Sequence, residues 1–252
     1  MNARRVFLRS IGGVSALLLA GCDRLSGSEW FPRVLELGQR TSKGVHHLLT
    51  SRKAMAQEFT EADLSPDFRS NGTAEPDNPR YQALAANGFV DWQLTVDGLV
   101  DKPLTLTLAQ LKAMKRRTQI TRHDCVEGWS AIGKWSGVPL SEVLALAVPK
   151  AQARFAVFHC SDPMHEGGKD FYYESIDMED AYHPQTILAY ELNNKALPIP
   201  NGAPLRLRVE RQLGYKMAKY VERIELVEGF GHIAGGNGGY REDYGYQWYA
   251  GI

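Results

Sequence analysis

The 252-residue sequence holds only three cysteines, too few for the disulfide framework that staples small secreted domains. It carries no net charge at pH 7, with 29 basic and 29 acidic side chains. It therefore lacks the basic excess of a dedicated nucleic-acid binder, and no nucleic acid is expected as a partner. GxGxxG, P-loop, HExxH and GxSxG motifs are all missing, which removes the main support for Rossmann, kinase and hydrolase readings. No Cys-x-x-Cys-His occurs either, so no covalent c-type haem is expected. What is present is ordinary for a folded chain. Apolar residues make up 44% and charged residues 23%, which excludes wholesale disorder, and the length is ample for a real core.

The first cysteine belongs to an export signal. Arg4 and Arg5 precede an apolar stretch from Ile11 to Gly21, shorter than the roughly 20 residues needed to span a bilayer. A basic segment followed by a short apolar one reads as a secretory signal. The arginine pair ahead of Phe7-Leu8 resembles a twin-arginine signal, which exports folded proteins; a chance pair in a Sec-type signal is the alternative. Leu19-Ala20-Gly21-Cys22 resembles a bacterial lipobox, implying lipidation of Cys22, the alternative being a plain cleavage site that contains Cys. Asp23, by the same resemblance, favours the inner membrane. The expected location is the periplasm. Residues 1–22 are assigned to the signal.

Residues 23–65 read as a tether or N-terminal extension, with Val45, Leu48 and Leu49 at helical spacing. From Ser65 to Pro79 the chain is rich in Pro, Asn, Asp, Gly and Ser and reads as a long loop of the kind that often carries function. The regular domain is placed at 66–232. Trp92, Leu94 and Val96 alternate with polar residues, predicting a strand closed by Asp97-Gly98, and Leu104 and Leu106 predict a second. Thr107 to Gln110 forms a capping box opening a helix. Leu140, Val143, Leu144 and Ala147 predict another helix. Strands are expected at Phe155 to His159 and Arg223 to Val227. Leu205, Leu207 and Val209 alternate with Arg206 and Arg208, placing two guanidinium groups on one strand face. The fold class expected is β-rich α+β. A Gly- and aromatic-rich tail occupies 233–252.

The second cysteine lies in Thr121-Arg122-His123-Asp124-Cys125-Val126-Glu127-Gly128-Trp129, between two helical patterns. Arg122 or His123 close in space would favour the thiolate, the form that binds metals. From residue types alone, a buried apolar cysteine is an equal alternative. A Cys125–Cys160 disulfide is a further one. A zinc or copper site from His123, Cys125, His159 and Cys160 has spacing unlike the usual zinc patterns.

The run from Cys125 to Trp129, followed by Trp135-Ser136-Gly137-Val138-Pro139-Leu140, resembles the molybdopterin-binding domain of the sulfite oxidase superfamily. It is most similar to the periplasmic protein-methionine-sulfoxide reductase branch. Asn201-Gly202-Ala203-Pro204-Leu205-Arg206 and Gly214-Tyr215-Lys216-Met217-Ala218-Lys219 supply two more matching blocks in order. The resemblance covers about Phe68 to Phe230. It implies a sulfite oxidase-type fold and a molybdenum–molybdopterin cofactor with one pterin dithiolene per chain. It also implies that Cys125 is the thiolate ligand to molybdenum, a soft donor suited to that metal.

By the same resemblance, Asn201 contacts the pterin and Arg206 the cofactor, through its phosphate. Met217, Ala218 and Lys219 form a phosphate-cradling loop, with Lys216 in the same turn. Cys160 stands where the reductase branch carries a hydroxyl residue touching the cofactor. Arg69 and Asn71 lie where N-terminal pterin contacts fall. The implied chemistry is two-electron oxygen-atom transfer on a small-molecule or protein sulfoxide. Arg122 and His123 are candidates to attract an oxyanion or donate a proton. Electrons are expected from a separate carrier, a membrane haem protein or a soluble cytochrome. Val126-Glu127-Gly128 replaces the basic cluster of true sulfite oxidases, and a carboxylate there would repel sulfite. Sulfite oxidation and a non-catalytic module of the same fold are the alternatives.

Overall fold

The structure, a computed structural model, describes residues 28, 30, 31, 37, 38, 41, 44, 51, 53–165 and 170–252. The expected signal and lipobox at 1–22, and the spacing at Val45, Leu48 and Leu49, lie outside the described residues. Among the described residues no helix is long and apolar enough to cross a membrane. The chain divides into two compact units, Met1–Ala54 and Met55–Ile252. In the first, Trp30 and Phe31 meet edge to face with ring centroids 5.8 Å apart. The second begins ahead of the expected boundary at 66 and takes in the segment 233–252.

In chain order the second unit contains α1 (Pro79–Ala86), β1 (Gln93–Gly98), β2 (Leu104–Thr107), α2 (Leu108–Ala113), β3 (Arg117–Asp124), β4 (Ser130–Pro139), α3 (Leu140–Ala147), β5 (Phe155–Pro163), β6 (Phe171–Asp177), α4 (Met178–Ala181), β7 (Ile187–Leu192), β8 (Lys195–Ala196), β9 (Arg206–Arg208), β10 (Val221–Val227) and α5 (Tyr240–Asp243). Two sheets result. The first has the order β2-β1-β10-β5-β6; the second runs β3-β4-β7-β8, with β9 also pairing β7. β1 and β10 are parallel, Thr95 opposite Arg223, and the other neighbours are antiparallel. Sheets dominate and the helices are short, so the β-rich α+β expectation holds.

Local chemistry explains the elements. Leu94 and Val96 are fully buried while Gln93 faces solvent, the period-2 pattern of a half-covered strand. The Thr107 hydroxyl accepts from the Gln110 amide at 3.2 Å while the Gln110 side chain accepts from the Thr107 amide at 2.8 Å. That reciprocal capping starts α2. In α3, Leu140, Val143, Leu144 and Ala147 are all fully buried. Each large side chain there contributes about 1.5–3 kcal/mol by leaving water. They join Val96, Phe158, Leu188, Leu207 and Ile224 in one core. A smaller cluster of Val157, Tyr173 and Val227 is covered by Ile233 and Tyr240 from the C-terminal segment. This second covering is why β5 is buried on both faces.

One region departs from expectation. Cys125 lies in the β3–β4 hairpin rather than simply between two helices. The buried face of β3 consists of Gln119, Thr121 and His123, all at most 2% exposed, whereas Ile120 is only half-buried. A strand whose inner face is polar gives no apolar alternation to read.

Candidate functional site

Three loops converge on one pocket. The first is the hairpin turn that carries Cys125. The Cys125 amide donates to the Trp129 carbonyl at 2.9 Å, and the Gly128 amide donates back to the Cys125 carbonyl at 3.0 Å. Gly128 takes φ +85°, where a side chain is disfavoured. The second loop is 68–73, within the segment expected to be a functional loop. The third is the 3-10 turn Gly214–Lys216 and the residues after it. Asn71, Thr73, Cys125, Glu127, Asp162, Met217 and Lys219 line the pocket, joined by Arg241 and Tyr246 from the C-terminal segment.

The basic residues expected to meet the cofactor act here as ties between loops. Lys219 is largely buried, and its ammonium donates to the Thr73 carbonyl, to the Pro200 carbonyl at 2.8 Å and to the Ser70 hydroxyl at 3.4 Å. Burial, together with the Arg206 charge, pulls its pKa down to about 7. Arg206 is fully buried and donates to the carbonyls of Asn201 (3.0 Å) and Met217 (3.2 Å), with its guanidinium 5.0 Å over the Trp135 ring. Burial and the neighbouring Arg208 lower it to about 9. Asn201 is buried and donates to the Phe68 carbonyl at 3.4 Å.

Cys125 is partly buried and a free thiol, as is the buried Cys160, so the Cys125–Cys160 disulfide does not form. Burial pushes the Cys125 thiol up, and the charges of Arg69 and Arg241 oppose that rise. These two guanidiniums, not Arg122 or His123, are therefore the cations that favour its thiolate. Arg122 is half-exposed and ion-paired to Asp124 at 2.9 Å, outside the pocket lining. His123, on the inner face of β3, is fully buried and absent from the lining. Burial and the charges of Arg208, Arg206 and Lys219 hold its pKa far below the usual imidazole value. Cys160 sits in the main core on β5, its thiol pushed well up by burial. Ala218 is also in that core, while Arg69 lies 5.6 Å over the Trp129 ring. No group of three or more His, Cys, Asp or Glu among the described residues is arranged to hold a metal ion, which leaves the zinc or copper alternative without a site there.

Several lining residues carried no sequence signal. Asp162 is buried, with its pKa pushed up to about 7 by burial, and its Oδ1 has no partner. Tyr215, from the 214–219 block, lines it too, as do Tyr172, Arg241 and Tyr246. The last two lie within the aromatic tail, where nothing distinguishes them from packing residues.

The residues present fit a molybdenum–pterin group. Cys125 offers the soft sulfur donor such a metal takes. Three buried polar atoms lack a protein partner around it: the Nε2 of His123, the Nε of Arg206 and the Oδ1 of Asp162. Orphaned donors and acceptors of this kind are costly unless a ligand pairs them. Gly214 lies so close to the His123 ring that a side chain there would collide with it, which leaves the 214–219 loop pressed against β3.

Comparison with known proteins supports the same group. Residues 82–230 match the family described as "Oxidoreductase molybdopterin binding domain". Over its whole length the chain is 36% identical to the "Putative protein-methionine-sulfoxide reductase subunit YedZ1" of Azospira oryzae, of which it covers 88%. It is 39% identical to the protein-methionine-sulfoxide reductase catalytic subunit MsrP of Xanthomonas campestris over 54% of this chain and 45% of that protein. With MsrP of Ralstonia nicotianae it shares 34% identity over 68% of this chain and 53% of that protein. The chain thus spans about half the length of those catalytic subunits. The sulfane dehydrogenase SoxCD of Paracoccus pantotrophus superimposes with a TM-score of 0.49 at 25% identity, over 55% of this chain and 39% of that one. The chain is an oxidoreductase of the molybdopterin-binding domain family, similar to subunits of protein-methionine-sulfoxide reductases.

Proposed function

We propose that this protein reduces a sulfoxide to the thioether and water, drawing two electrons from a separate redox protein. The molybdenum cofactor, when bound, supplies two-electron oxygen-atom transfer. Cys125 holds the metal through its thiolate. His123 and Asp162 offer the unpartnered donor and acceptor that meet the cofactor, and Arg206 and Lys219 fix the loops around it. Asp162, whose pKa burial raises to about 7 and whose Oδ1 has no protein partner, holds a proton that water formation consumes. Tyr172 and Tyr215 give an apolar wall with their hydroxyls tied to carbonyls, which suits a thioether product.

The observation that carries this reading is Cys125 facing a pocket that also holds Lys219 and Asp162, whose buried Oδ1 has no protein partner. It is further supported by the names of the relatives, one a subunit and others catalytic subunits of methionine-sulfoxide reductases. The N-terminal resemblance supports export by the twin-arginine route to the periplasm, with a lipid on Cys22. The electron donor is then a membrane haem protein or a soluble cytochrome. Protein exported through its own signal should contain about one molybdenum per chain and reduce sulfoxides with an artificial electron donor. Oxidation of sulfite without sulfoxide reduction, or absence of molybdenum, would overturn the proposal.

A further inference from the structure

The segment 233–252 lies beyond the residues that match the family, yet it finishes the pocket wall with Arg241 and Tyr246. It is fastened firmly. The Lys216 ammonium donates to Glu242 at 2.6 Å and also to Glu174, with all three side chains at most 1% exposed. The Asp243 carboxylate accepts from the amides of Gly235 and Asn237, each at 3.0 Å, and from the Tyr173 hydroxyl. Trp248 donates to the Ser175 hydroxyl at 2.8 Å and packs against Phe155 and Phe230. Arg241 precedes Glu242 and Asp243, so the residues after it are anchored and its backbone is fixed.

Among the described residues the Arg241 side chain forms no hydrogen bond or ion pair; its guanidinium lies 5.8 Å from the neighbouring Tyr240 ring. Its charge reaches the Cys125 thiol. The other cation of the pocket lining is committed, and so is Glu127, while Asp162 keeps an unpartnered Oδ1. Lys219 spends its three donors on the 68–73 loop and Pro200, and Glu127 accepts from the Trp129 indole at 3.1 Å. Arg241 thus presents a positioned fork of donors to the pocket that holds Cys125, and such a fork suits a carboxylate through two parallel bonds.

We infer that Arg241 recognises an anionic group of the substrate, so that the site prefers sulfoxides bearing a carboxylate to neutral ones. This rests on the sulfoxide-reductase reading above. A substrate bound in this way places its sulfoxide toward Cys125 and its carboxylate at Arg241.

The test compares N-acetylmethionine sulfoxide with its neutral amide on molybdenum-loaded wild type, Arg241→Gln and Arg241→Lys. The wild type should show a KM for the acid about tenfold or more below that for the amide, the scale of a charge-assisted hydrogen bond. Arg241→Gln should abolish that preference through KM rather than kcat, and Arg241→Lys should restore part of it. Calorimetric binding of N-acetylmethionine, the thioether product, should weaken to the same degree in Arg241→Gln, with molybdenum content unchanged. Equal losses on acid and amide, no loss on either, or loss of molybdenum would each overturn the inference. If the wild type reduces neither sulfoxide, the function reading fails. Arg241-dependent binding of the anion would still support the recognition role, and its absence would defeat that as well.

Discussion

Arg208 donates a hydrogen bond to the Nδ1 of His123 at 3.1 Å, and this fixes where the imidazole proton resides. A guanidinium only donates, so Nδ1 must accept and the proton of the neutral ring sits on Nε2. That N–H is buried without a protein partner. Arg208 itself is held by Glu210 through its Nε at 2.9 Å and lies 4.4 Å over the Trp135 ring. His123 is thereby a neutral, oriented donor behind the Cys125 turn rather than a proton-exchanging group in the pocket.

The His123 arrangement predicts acid sensitivity. Its folded pKa lies well below the ordinary 6.5, so below that pH the unfolded chain takes a proton that the native state refuses. Its contribution to stability is present above about pH 6.5 and lost as pH falls, at up to about 1.4 kcal/mol per unit. Denaturant unfolding of His123→Phe should show a shallower decline than wild type between about pH 6 and pH 5. An unchanged slope would show that His123 titrates normally.

The Lys216 triad predicts opposite outcomes for its two halves. Lys216→Met leaves Glu242 buried without its ammonium partner, at a cost of about 3–5 kcal/mol, and should expose the C-terminal segment to protease. Glu174 is held well above the usual carboxylate range by burial. A raised acid contributes stability below its unfolded value that is lost as pH rises. Glu174→Gln should therefore gain on wild type as pH increases from 5 to 8. A loss of stability in Glu174→Gln that deepens with pH would show the carboxylate to be ionised and favourably paired.

How legible was this in the sequence? The periodic elements were: Leu94 and Val96 in β1, the Thr107–Gln110 box, and the α3 face all stand where side-chain spacing places them. The β3–β4 hairpin was not, because its buried positions Gln119, Thr121 and His123 are polar, and Gln119 is satisfied by the long-range partners Gln185 and Glu210. At the site, Cys125 could be singled out from its neighbours in sequence. The cations that act on it could not, since Arg69 and Arg241 reach it from distant segments. Arg122 was suggested by adjacency, but successive residues of a strand point to opposite faces, and it faces out.

The proton-holding role of Asp162 predicts a pH profile. Asp162 and Lys219 both lose protons as pH rises through about 7, so sulfoxide reduction should fall on the alkaline side. Asp162→Asn holds no transferable proton and should lower kcat by roughly 10²-fold or more near pH 6, flattening the profile. A profile of unchanged shape in Asp162→Asn would remove it from the reaction.

Molybdenum X-ray absorption of wild type and Cys125→Ser, each exported through its own signal, tests the central assignment most directly. If Cys125 is the thiolate ligand, the wild type shows one more sulfur neighbour at molybdenum than the variant. Equal sulfur coordination in the two proteins, or no molybdenum in the wild type, would contradict it.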